Sequence, residues 1–137
     1  MSASVDLVCV DPALVASVLP KVEHWLRAAS ERTRASDWSD DQARIMRGEA
    51  LLWLMCRGLA LLGAGTTELH RFNGDLFCYV TACGGEDRRA WRHLLERIEE
   101  YAKAEGCKTV RMLGRKGWAR VLDDYAPTLV MLEKGLN

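Results

Sequence analysis

Apolar residues recur along this chain with two different spacings, and the places where one spacing gives way to the other mark its elements. Asp11-Pro12 has the form of an N-cap followed by proline at the first helical position, and Val15, Val18 and Leu19 then share one helical face. Pro20 either kinks that helix or opens the next one, whose apolar face is Val22, Trp25, Leu26 and Ala29. Residues 31–38 are polar and read as a connection. Ser39 and Gln42 have the spacing of a capping box and open a helix that ends near Gly48.

From Ala50 the period shortens. Residues 50–56 and 59–69 are apolar runs separated by Arg57-Gly58, which predicts a hairpin of two buried strands. Asn73-Gly74 is a two-residue hairpin signal leading into a third strand over 76–82. Cys83-Gly84-Gly85 ends that strand, and from Glu86 the positions Trp91, Leu94, Leu95, Ile98, Tyr101 and Ala102 predict a long amphipathic helix stopped by Gly106. Residues 107–113 read as the next strand. Strand, helix and strand in succession imply a crossover, so the strand at Val110 is expected parallel to the one at Val80. A short helix over 117–125, with Trp118, Val121 and Leu122 inward, and a last strand over 128–133 complete the order. The pattern predicts one α/β (α+β) domain over 1–137, with a mixed, mostly antiparallel sheet flanked by helices.

Composition narrows the function classes. A chain of 137 residues that is 49% apolar has enough material for one core. Its most apolar stretch, 50–64, is interrupted by Arg57 and Gly58, so no membrane-crossing run is present, and its first residues lack the form of a secretion signal. These features place the protein inside a cell, without a membrane partner. Lys+Arg and Asp+Glu balance at 19 each, which argues against a dedicated nucleic-acid binder. Local basic clusters remain at Arg88, Arg89 and Arg92 and at Arg111, Arg115, Lys116 and Arg120. The five cysteines, Cys9, Cys56, Cys78, Cys83 and Cys107, form no C-x-x-C pair and are expected as reduced, mostly buried thiols. His24, His70 and His93 show no ligand spacing, so no metal site is expected. Trp53, Trp91 and Trp118 lie on apolar faces, whereas Trp38 sits in a polar stretch, as an anchor for a partner or a staple on the following helix.

The order of elements resembles the GNAT (Gcn5-related N-acetyltransferase) fold over nearly the whole chain. Residues 114–122, Gly-Arg-Lys-Gly-Trp-Ala-Arg-Val-Leu, look like a segment of small GNAT-like proteins encoded by tailed bacteriophages. In that family the strand corresponding to 76–82 leads into a loop and a helix N-terminus that hold the pyrophosphate of acetyl-coenzyme A. The resemblance therefore implies acetyl-coenzyme A as cofactor, if the protein is active, held by Gly84, Gly85, Arg88 and Arg89. The family loop reads Gln/Arg-x-x-Gly-x-Gly/Ala, whereas this chain has Thr81-Ala82-Cys83-Gly84-Gly85-Glu86-Asp87-Arg88-Arg89, with Glu86 and Asp87 competing for the positive end of the helix dipole.

Acetyl transfer also needs a base and often a tyrosine acid. Glu68, at the end of a glycine-bearing strand, is the candidate catalytic base. The family's tyrosine position falls near Leu122, with Tyr125 about one helical turn beyond. Two readings stay open. One is a degenerate acetyltransferase scaffold that works with other phage structural or assembly proteins, in the host cytoplasm or incorporated in the virion. The other is a working N-acetyltransferase acting on an amine.

Overall fold

The computed structural model describes residues 5–34, 36–86, 88–113 and 122–136, with residues 88–90 as backbone alone. Five strands form one sheet whose spatial order is their order in sequence. They are β1 (Val5–Cys9), β2 (Leu51–Arg57), β3 (Ala60–Phe72), β4 (Asp75–Gly85) and β5 (Thr109–Met112). The first four pair with one another antiparallel, and β5 lies parallel to β4, with Cys78 opposite Val110. The crossover helix that the parallel pair requires is α3 (Arg88–Ala104); the opposite face carries α1 (Val15–Thr33) and α2 (Trp38–Met46).

Alternation along β2 divides the core in two. Trp53 and Met55 face α3, where they meet Cys78, Val80, Leu94, Leu95 and Ile98. Leu52 faces the other way, toward Val22 and Leu26 of α1 and Ile45 of α2. The Trp53 indole would be costly to bury with a bare N–H, and it donates to Thr67 Oγ1 at 2.9 Å. Asn73 and Gly74, with φ of 51° and 86°, turn the β3–β4 hairpin as the sequence predicts.

Several expectations need correction. β1 was not foreseen as a strand: only Val5 and Leu7 turn toward the core, too few inward positions for a two-residue period to stand out. Pro20 does not open a second helix but lies inside the first. Asp11 Oδ1 accepts from the Ala13 N–H at 2.9 Å at the start of a 3₁₀ turn (Pro12–Leu14), and α1 then runs unbroken through Pro20 to Thr33. The stripe Val15, Leu19, Val22, Leu26 and Ala29 buries along the whole helix, which outweighs the one backbone bond that proline removes. The polar residues Glu31 and Arg32, read as connection, form its exposed last turn. The box at Ser39 moves by two residues, for Asp37 is the N-cap of α2 and Ser39 Oγ donates to its carboxylate.

The expected last strand over 128–133 is absent: residues 126–136 run without regular structure. The expected short helix over 117–125 lies mostly outside the described residues, and its last four residues form a turn.

α1 crosses β4 where β4 has no side chain. A Cβ on Gly84 would stand 2.8 Å from the carbonyl oxygen of Trp25 and 2.9 Å from its Cβ, so helix and strand touch backbone to backbone. Neither can yield without shifting the whole helix. We expect Gly84→Ala to destabilise the fold by about 1–3 kcal/mol, the usual cost of overpacking, seen as a loss of several degrees in the melting temperature. An unchanged melting temperature would mean that α1 is not seated on Gly84.

Candidate acyl-transfer cleft

The β4–β5 ladder ends at Val80 and Met112, but β4 continues to Gly85. At the same point β4 carries an extra residue relative to β3. Thr66 pairs with Ala82 and Thr67 with Val80, leaving Thr81 as a bulge. Thr81 Oγ1 is tied to Thr66 Oγ1 at 2.7 Å, which fixes the bulge from the β3 side. Beyond it the Glu86 N–H donates to the Leu62 carbonyl on β3. Antiparallel alternation then points the N–H and C=O groups of Cys83 and Gly85 away from β3, into the space where β5 has left off. Among the described residues no strand pairs with that edge.

Gly84 and Gly85 are thus the end of a strand, not a loop. Gly84 is buried against α1, and Gly85 lies opposite Gly63. Glu86 precedes α3 instead of occupying its first turn, and Asp87 lies outside the described residues. Arg88 and Arg89 are the first two residues of α3, where helix N–H groups are unpaired and the dipole is positive. Their side chains lie outside the description. The open edge followed by a helix N-terminus suits an extended, amide-bearing chain ending in phosphates.

Glu68 lies on the α2 side of the sheet, with its side chain only 12% exposed. It is already engaged. Arg44 Nε donates to Glu68 Oε2 at 3.2 Å, and His70 Nε2 lies 3.1 Å from Glu68 Oε1. Arg44 also pairs with Asp41, whose other oxygen accepts from Ser30 and Ser36. The strand register sets Glu68 opposite Tyr79, and Tyr79 opposite Arg111. Arg111 donates to the Tyr79 hydroxyl at 2.9 Å and lies 4.0 Å from the centre of the Phe77 ring. The His70 ring meets Tyr79 edge-on at 5.1 Å.

One row of side chains therefore runs from α2 to the mouth of the β4–β5 gap. Sequence reasoning found Glu68 but missed His70, Tyr79 and Arg111. Glu68 and His70 are two apart in one strand, so the period of two already placed them on one face; the rest needed the register. With Glu68 ionised, the His70 Nε2 proton is directed to it and Nδ1 is left as an acceptor.

The acid expected from the C-terminal region is not positioned to serve. Leu122 is 3% exposed and packs in the α3 core. The Tyr125 hydroxyl donates to Glu99 at 2.6 Å, roughly 16 Å along α3 from Arg88 at 1.5 Å per residue. Burial first, then the Glu99 hydrogen bond, holds the Tyr125 proton more tightly than usual. The cysteines are equally quiet. All five are free thiols with pKa values raised mainly by burial, Cys78 to about 12, so none is a ready thiolate near neutral pH.

This sheet, its crossover and its gap are those of the GNAT acetyltransferase fold. No protein-family model matches the sequence, and no curated protein does. Solved structures match over almost the whole chain. An aminoglycoside acetyltransferase from an uncultured soil metagenomic sample, in complex with sisomicin, superposes with a TM-score of 0.70 at 11% identity, covering 97% of each chain. A predicted acetyltransferase from Clostridium acetobutylicum, with acetyl-CoA, gives 0.65 at 10% identity over 98% of this chain and 96% of its own. A GNAT family acetyltransferase of Staphylococcus aureus gives 0.64 at 14%, over 99% and 100%. At these identities the likeness establishes the fold.

The raised acidities give a signed pH dependence. Burial lifts Tyr101 from 10.0 to about 12, as it lifts Cys78 from 9.0 to about 12. Between about pH 9 and 12 the unfolded chain releases protons that the folded chain keeps, so stability is full below this window and falls as pH rises through it. Thermal melting across the window should show the decline, and Tyr101→Phe should flatten its upper part. A melting temperature constant to pH 12 would contradict these burials.

Proposed function

We propose that this protein is an acetyl-coenzyme A-dependent N-acetyltransferase. The observation that carries the reading is the edge of β4 beyond Thr81, two backbone positions without a strand partner among the described residues, leading to the N-terminus of α3. The amide-bearing arm of the coenzyme hydrogen-bonds along Cys83 and Gly85, and Gly84 keeps that strand flat against α1. Arg88 and Arg89 meet the pyrophosphate at the start of α3. The acceptor amine approaches on the face bearing His70, Tyr79 and Arg111. Its nitrogen attacks the acetyl carbonyl, the carbon–sulfur bond breaks, and the coenzyme leaves as a thiolate that takes its proton from solvent. The proton lost by the amine passes to His70 Nδ1, and Glu68 stabilises the resulting imidazolium.

Titration calorimetry with acetyl-coenzyme A should show micromolar binding that weakens in Arg88→Ala and Arg89→Ala. Release of the free thiol in an amine screen should then fall about 10²–10⁴-fold in His70→Ala and Glu68→Gln. Turnover that survives all four substitutions would overturn this assignment of residues.

A second reading is favoured by one feature, the buried Leu122 where the family resemblance calls for an acid. In it the chain is a phage-encoded GNAT scaffold without catalysis, serving virion assembly through protein contacts, as the segment 114–122 suggests. It requires no heat of binding at millimolar coenzyme and co-purification with particle proteins. Absence from virions and assembly intermediates would remove it.

A further inference from the structure

The end of the chain has the sequence of a strand but forms none, and the sheet has an edge that no strand covers among the described residues. Residues 128–133, Thr-Leu-Val-Met-Leu-Glu, have the composition of a strand buried on both faces. Yet Leu129 is 87% exposed, Val130 79%, Met131 72% and Leu132 90%. Among the described residues, no hydrogen bond involves residues 126–136. Four consecutive large apolar side chains in water, on a backbone with its donors and acceptors unpaired, are costly and invite pairing.

The complement is on the same molecule. β5 is the last strand of the sheet, and the side of Thr109–Met112 away from β4 has no strand partner among the described residues. Leu113, just beyond it, is 62% exposed. The root of the tail is fixed elsewhere. Leu122 is embedded under α3, Tyr125 is bonded to Glu99, and Asp123 is bonded to Arg92 at 3.0 Å. Pro127 then stiffens the exit and biases Ala126 toward an extended backbone. Beyond that anchor residues 126–136 run exposed and without regular structure, unpaired with their own β5.

We propose that residues 128–133 pair with β5 of a second copy of this chain as a sixth strand, and that the exchange is reciprocal, giving a two-fold dimer. Each protomer lends its unpaired strand and covers its partner's free edge, so both open features close at once. The added strand lies on the side of β5 away from β4, which leaves the gap beyond Val80 open. This inference does not depend on the acetyltransferase reading.

Light scattering on the purified chain should give twice the 15.4 kDa monomer mass. Amide exchange should show protection over 128–133 and at 109–112. The double substitution Val130→Asp and Leu132→Asp should yield a folded monomer, with unchanged far-ultraviolet dichroism and fast exchange over 128–133. To separate exchange between copies from pairing within one copy, cysteines are placed by Thr109→Cys and by Thr128→Cys in separate, differently tagged chains, and the two are mixed after unfolding and refolding. A cross-linked heterodimer is the expected result. A monomer with residues 128–133 protected would mean that the strand folds onto its own β5, and a monomer with those residues unprotected would mean that it pairs with nothing. Either result overturns the proposal.

Discussion

The parallel pairing of β4 with β5 lasts only four residues, and the character of the site follows from where it stops. The Thr81 bulge lets β4 stay bonded to β3 while it turns out of register with β5. A regular β4 would run the ladder on and bury its own backbone. With the bulge, the last third of the strand keeps one side hydrogen-bonded and leaves the other without a strand partner among the described residues. Gly84 makes this arrangement tolerable on the α1 face, because the helix presses directly on the strand and braces it against movement.

The charges around the opening are arranged with the same economy. Arg44 neutralises Asp41 and Glu68 together, and His70 occupies the remaining side of Glu68. A carboxylate so enclosed is a better partner for an imidazole than a base that must itself capture a proton. Arg111 is held by an aromatic ring and a tyrosine hydroxyl, neither of which cancels its charge. Its guanidinium remains available to an anionic group on whatever occupies the gap. The absence of a positioned acid follows from packing, since Leu122 fills the core and Tyr125 is committed to Glu99.

Much of this was legible in the sequence, and the exceptions share physical causes. The hairpins at Arg57-Gly58 and Asn73-Gly74, the amphipathic α3 and the parallel placement of β5 all follow from period and turn chemistry, which are local. Whether Pro20 starts a new helix was open in the sequence, and one helix continues through it because a single lost hydrogen bond is small beside a helix-long buried stripe. β1 escaped because two inward residues make no pattern. The apolar composition of 128–133 predicts a strand that the structure does not form, because strand pairing is a property of the partner, and composition does not supply one. Glu68 could be singled out as a carboxylate at a strand end. Its engagement by Arg44, 24 positions earlier, could not be, because it depends on how α2 is laid across the sheet.

In the proposed function the open edge of β4 receives the coenzyme arm. Amide hydrogen exchange at Cys83 and Gly85, with and without acetyl-coenzyme A, tests it most directly. These two amides face the gap and should exchange readily in the free protein, then slow markedly on addition of the coenzyme, while Gly84, already bonded to β3, changes little. Binding that leaves Cys83 and Gly85 exchanging at their free rate would place the ligand elsewhere and overturn the proposal.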